Sequence, residues 1–152
     1  MLVIEAKLKG TNTQYSKLDE AIRTGQFIRN SCLRYWADNK GVSRNDLQKL
    51  CSKLAKNKET PWTGKLNSQA RQAHADRAWA SIQRFYENCR LGDAGVRSSP
   101  SDKEAHPKGK SGKKGYPRYK KFNRSLEYKN TGWNLSADRK QIAIPQGRSG
   151  FS

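Results

Sequence analysis

Asn67-Ser68-Gln69-Ala70-Arg71-Gln72-Ala73-His74-Ala75-Asp76-Arg77-Ala78-Trp79-Ala80-Ser81-Ile82-Gln83-Arg84-Phe85-Tyr86-Glu87-Asn88-Cys89-Arg90-Leu91-Gly92 carries the most regular apolar stripe in the protein. Within it Ala75, Ala78, Trp79, Ile82, Phe85, Tyr86 and Cys89 recur at intervals of three and four, the period of one apolar face on an α-helix. Asn67 or Ser68 supplies a cap and Gly92 a stop. One such stripe needs apolar partners, and two further helices upstream offer them. From Thr13, the residues Tyr15, Leu18, Ile22, Gly25, Ile28, Cys32, Tyr35 and Trp36 keep the same period up to Asn39-Lys40-Gly41. Ser43 with Asp46, a weak relative of the capping box, then opens a helix carrying Leu47, Leu50, Cys51 and Leu54, which ends before Pro61.

The flanks read differently. Leu2-Val3-Ile4-Glu5-Ala6-Lys7-Leu8 starts β-branched and then alternates, with Ile4, Ala6 and Leu8 on one face, so it predicts a strand closed by Gly10. Residues 92–115 hold Gly, Ser, Pro and Lys with almost no apolar side chain, the composition of a flexible basic linker. Beyond it, Ser125-Leu126-Glu127-Tyr128, Trp133-Asn134-Leu135 and Gln141-Ile142-Ala143-Ile144 are short strand-like runs separated by turn signals. Three short strands have little to pack on, so the first strand is expected to join them across the helices. The predicted architecture is α+β: a first strand in 1–10, a three-helix bundle inserted in 11–91, a linker in 92–115, a small antiparallel sheet in 116–146 and a disordered tail in 147–152.

Charge narrows the partner. With 31 Lys and Arg against 13 Asp and Glu, the net charge is +18 and the isoelectric point near 10.1, which favours a polyanion and nucleic acid first. No apolar run approaches membrane-spanning length, so no membrane role is expected. Cys32, Cys51 and Cys89 are odd in number and fall in helical apolar stripes, which predicts reduced, buried thiols and a cytoplasmic setting. Hydrophobic residues make up only 34% of the chain, enough for a small core.

Catalytic signals are weak. The acids are scattered singly apart from Asp19-Glu20 and the Asp102/Glu104 pair, whereas metal-dependent phosphoryl chemistry needs carboxylates that converge. His74 is placed on the polar side of the third helix and His106 in the linker, without partners at metal-ligand spacing. No tyrosine is accompanied by a His-x-His pair. No cofactor, no metal and no catalytic residue is therefore expected, and oligomeric state is left open.

Binding chemistry is more visible. Lys108, Lys110, Lys113, Lys114, Arg118, Lys120 and Lys121 are crowded together without an acid among them. In Gly115-Tyr116-Pro117-Arg118-Tyr119-Lys120-Lys121-Phe122-Asn123-Arg124 aromatic rings alternate with cations, a pairing that neutralises phosphates and stacks on bases. Two readings of Tyr116 and Phe122 stay open: stacking platforms, or core residues of the adjoining sheet. Arg23, Arg29 and Arg34 on the first helix, with Arg71, Arg77 and Arg84 on the third, give either a basic binding face or an ordinary soluble one.

The sequence also resembles the TnpB (OrfB) proteins of bacterial insertion sequences, often called transposases and related to the type V CRISPR effector nucleases. The likeness rests on Arg23-Thr24-Gly25-Gln26-Phe27-Ile28-Arg29-Asn30, Leu33-Arg34-Tyr35-Trp36, Leu66-Asn67-Ser68-Gln69-Ala70 and, most specifically, Gly115-Tyr116-Pro117-Arg118-Tyr119-Lys120-Lys121. It continues through Ser125-Leu126-Glu127-Tyr128 and Trp133-Asn134-Leu135-Ser136-Ala137-Asp138-Arg139-Lys140. It spans residues 1–146 but only the amino-terminal part of a family member. The resemblance implies a β wedge domain interrupted by a helical recognition domain, which together hold a guide RNA and target DNA. The RuvC-like nuclease domain and zinc ribbon of that family have no counterpart here, and residues 147–152 do not look like the family's continuation, so a frameshift or premature stop is expected. The implied function is nucleic-acid binding without catalysis. Two alternatives stay open: a transposase or endonuclease completed by a separately encoded half, and a non-functional pseudogene product.

Overall fold

Each helix begins where a short polar side chain turns back on the backbone. Thr11 Oγ1 accepts from the Gln14 amide (3.3 Å) and Gln14 Oε1 from the Thr11 amide (2.8 Å), a reciprocal box that opens α1, Asn12–Asp38. Ser43 and Asp46 form the same box at α2, Arg44–Lys56. Asn67 Oδ1 accepts from the Gln69 amide (2.8 Å) at the start of α3, Ser68–Asp93. The expected stop at Gly92 is not used, since α3 runs through it to Asp93. A 3₁₀ turn, Pro61–Lys65, connects α2 to α3. The computed structural model describes residues 3–93, 115–129 and 132–145.

The core lies between the three helices. Ile28, Cys32 and Leu33 from α1 meet Leu47 and Cys51 from α2 and Ala70, Ala75, Ala78 and Ile82 from α3. Full burial of Ile28, Leu47 and Ile82 contributes roughly 1.5–3 kcal/mol each. Alanine dominates the α3 face, so α3 approaches its neighbours closely. Asp76 ties the outer edge: Arg44 Nε and Nη2 donate to its two oxygens (2.8 and 2.9 Å), Gln48 donates at 3.1 Å, and Lys129 is also paired with it. The Arg44 hydrogen bond, with Lys129 and Gln48 adding to it against the opposing effect of burial, holds the Asp76 carboxyl well below the usual carboxylate range.

The β component is smaller than expected. Asn134–Leu135 (β1) pairs antiparallel with Ile142–Ala143 (β2), in register Asn134 to Ala143 and Leu135 to Ile142. The intervening turn falls at the expected Ala137-Asp138-Arg139, with Arg139 at φ 58° and its amide donating to the Ser136 carbonyl (2.9 Å). Residues 3–10 form no strand: they are irregular and exposed, and the Gly10 amide donates to the Tyr15 hydroxyl rather than to a neighbouring strand. Residues 125–128 form none either. Their side chains are committed to the helices, with Glu127 3.0 Å from Arg77 and with Leu126 and Tyr128 packed on the core. The α+β class stands, as three helices with a two-stranded hairpin among the described residues in place of a four-stranded sheet. The linker and the tail lie outside the described residues apart from Gly92, Asp93 and Gly115. No described helix is long and apolar enough to cross a membrane.

Two of the three thiols are buried, Cys32 and Cys51, while Cys89 is half-buried and all are reduced. Contact with Cys51 and burial push the Cys32 thiol up. His74 departs most from the sequence reading. It is fully buried, neither ring nitrogen has a hydrogen-bond partner, and its ring lies against Gly25 of α1. Burial, with Arg77, Arg29 and Lys120 beside it, lowers its pKa to about 4, so the imidazole is neutral at physiological pH.

Candidate nucleic-acid interface

The chain after Gly115 lies along α1 as an irregular strap with a bend at Lys121, and amide side chains set its course. Asn30 Nδ2 donates to the Lys120 carbonyl (2.9 Å), and its Oδ1 accepts from the Lys120 amide (3.0 Å). One helical turn earlier, Gln26 Nε2 donates to the Lys121 carbonyl (2.9 Å) and its Oε1 accepts from the Asn123 amide (2.9 Å). Two amides at i and i+4 on one helix face thus do for this segment what a neighbouring strand does in a sheet.

Arg29 sits between them. It is 8% exposed, and its guanidinium donates to the Arg118 carbonyl (3.1 Å) and to Ser81 Oγ (3.3 Å), so it bolts α1, α3 and the strap together. No described carboxylate pairs with it; burial, with Arg77 nearby, lowers its pKa. At the strap's entrance Gly115 takes φ +71°, a left-handed conformation suited to glycine. Tyr116 then packs on Phe85 (5.1 Å between ring centroids) and Trp36 (5.5 Å), and Pro117 is buried. Trp36 Nε1 donates to the Tyr86 hydroxyl (2.7 Å), closing an aromatic cluster that fixes this end.

Because the backbone polar groups turn inward, the side chains that follow turn out. Arg118, Lys120, Lys121 and Arg124 are exposed, with Tyr119 at 58% and Phe122 at 85%. Neither ring is in the core of the sheet: Tyr116 packs in the aromatic cluster while remaining 43% exposed, and Phe122 covers no core.

The helical arginines divide likewise. Arg23 is exposed, and exposed Arg34 lies 3.8 Å from Asp38. Arg29 is no surface group but the buried bolt. Arg77 is held by Glu127 (3.0 Å) and Ser125 Oγ (3.1 Å), because the irregular segment 125–128 crosses α3 there. Arg71 is half-buried, its Nε without a partner, and burial lowers its pKa. None of these three belongs to an open basic face. Lys108, Lys110, Lys113 and Lys114 lie outside the described residues.

Sequence reasoning missed Gln26, Asn30 and Asn123, although amides flanking an arginine at i, i+4 spacing were a readable signal. Among the described residues no group of three or more His, Cys, Asp or Glu could hold a metal ion. No family model, curated protein or solved structure matches the chain.

Proposed function

We propose that the chain binds RNA or DNA, with the strap 116–124 as its contact surface. The observation that carries this reading is the strap's double-sided use: amide ladders from Gln26 and Asn30 take up its backbone, leaving Arg118, Lys120, Lys121, Tyr119 and Phe122 facing solvent. Cations and rings on one short segment match a phosphate chain with exposed bases. The buried charge of Arg29, which has no described carboxylate, adds to the positive potential and favours an approaching anion. In the same reading the chain is the nucleic-acid-holding, non-catalytic part of a cytoplasmic protein of the TnpB kind, supported by its motif resemblance.

The test is fluorescence anisotropy with labelled single-stranded RNA and duplex DNA over a salt series. Affinity falls log-linearly with salt, by roughly 0.7–0.9 in slope per phosphate neutralised, and Lys120→Ala with Lys121→Ala lowers the slope by about 1–2. Affinity that is flat between low and physiological salt refutes the proposal.

A further inference from the structure

Away from the strap, a groove of about 1090 Å³ lies between residues 4–10, the first half of α1 and the β1–β2 hairpin. Part of its lining is apolar. Leu135 and Ile142 are cross-strand partners, and with Trp133 and Ile144, each two residues away, they share one face of the hairpin. Ile4, Ala6 and Leu8 line the groove together with Lys7, Lys9 and Gly10, so both faces of this segment border it. These apolar residues are exposed among the described residues: Ile4 is 79% exposed, Leu8 50%, Leu135 46% and Ile142 43%.

The rim is cationic. Lys7, Lys9, Lys17, Arg139 and Lys140 all line the groove without a carboxylate partner among the described residues, and Lys65 lies 3.9 Å from Glu20. An occupant must therefore bring apolar side chains to the walls and negative charge to the rim. We propose that the groove docks an acidic amphipathic peptide segment of a partner protein, its aliphatic side chains against Leu8, Leu135 and Ile142 and its carboxylates on the lysine rim. A nucleic acid supplies the charge but no aliphatic side chains. A bilayer is engaged by protruding apolar residues, whereas these walls are concave.

The probes are a fluorescein-labelled peptide combining leucine with glutamate, its glutamine-for-glutamate counterpart, vesicles of phosphatidylserine and phosphatidylcholine, and oligouridylate. The glutamate peptide binds, and the glutamine peptide binds about tenfold more weakly. Lys7→Glu, Lys9→Glu and Lys17→Glu together cost a similar factor, and Leu135→Asp with Ile142→Asp abolishes binding. All these positions are exposed, so the lysine variant keeps the helical circular dichroism of the parent and carries the test if the hairpin variant loses its fold. Lys120→Ala with Lys121→Ala leaves peptide affinity unchanged, separating this groove from the strap. Equal affinity for the two peptides, no binding of either, or displacement of the peptide by vesicles or by oligouridylate overturns the proposal.

Discussion

Gly25→Ala places a methyl group where His74 already sits. A Cβ at position 25 meets His74 Nε2 at 2.2 Å and two ring carbons at 2.7 Å, about 1.2 Å short of the 3.4 Å at which ordinary contact begins. The ring is fully buried, so α1 and α3 must separate to admit the methyl group. Overpacking of this kind costs about 1–3 kcal/mol. On an open helix face the same substitution stabilises by roughly 0.5–1 kcal/mol, because alanine loses less backbone entropy. The two effects have opposite signs, so thermal melts by circular dichroism decide between them. We expect a fall in Tm of at least about 2 °C and a partial recovery in the Gly25→Ala, His74→Ala double variant. The coupling between the two substitutions is at least about 1 kcal/mol. A Tm that rises with Gly25→Ala, or an equal fall in the His74→Ala background, refutes the packing account.

His74 also makes stability depend on pH. Its pKa is about 4 in the fold and 6.5 in the unfolded reference, so the unfolded chain binds the extra proton between these values. Stability attributable to this residue is present above pH 6.5 and is lost as pH falls towards 4, by at most about 1.4 kcal/mol per unit; denaturation of a His74→Gln variant lacks that slope. Asp76 adds a second acid limb below the ordinary carboxyl value of 3.8, since its folded pKa is depressed by Arg44, and Asp76→Asn removes that limb in the same measurement. Asn30→Ala deletes two hydrogen bonds to Lys120, worth about 0.5–1.5 kcal/mol each, so trypsin cleaves after Lys120 and Lys121 faster while the helices keep their dichroism. Phe122→Ala leaves Tm unchanged because the ring is 85% exposed, yet weakens single-stranded RNA binding by about 1–3 kcal/mol if a base stacks on it, as anisotropy reports.

The helices were legible in the sequence because their determinants are local. The box at Ser43 and Asp46, the Asn67 cap, the Ile28 and Cys32 stripe of α1 and the Ala78 and Ile82 stripe of α3 each act within a few residues along one helix. His74 was legible in principle: it shares an i, i+4 row with Ala70, Ala78 and Ile82, and its polarity outweighed that row in the reading. The strand predicted for residues 2–8 is not formed in 3–10, because alternation marks one apolar face without supplying a partner strand, and residues of both faces border a groove. The basic and aromatic residues of the strap were recognised as a binding cluster while their division of labour was not. Tyr116 packs and Phe122 does not, because the amides that turn the strap lie about 90 residues away on α1.

Sequence was enough to read three amphipathic helices, two of them with their caps, an excess of positive charge and a cation-aromatic segment. Tertiary structure alone decided that Arg29 is a bolt rather than a surface charge, that Arg77 is taken by Glu127, and that the backbone of residues 118–123 faces α1. Helical period and capping arise between near neighbours in the chain, whereas the fate of an arginine or an irregular segment depends on partners that only folding brings within hydrogen-bonding reach.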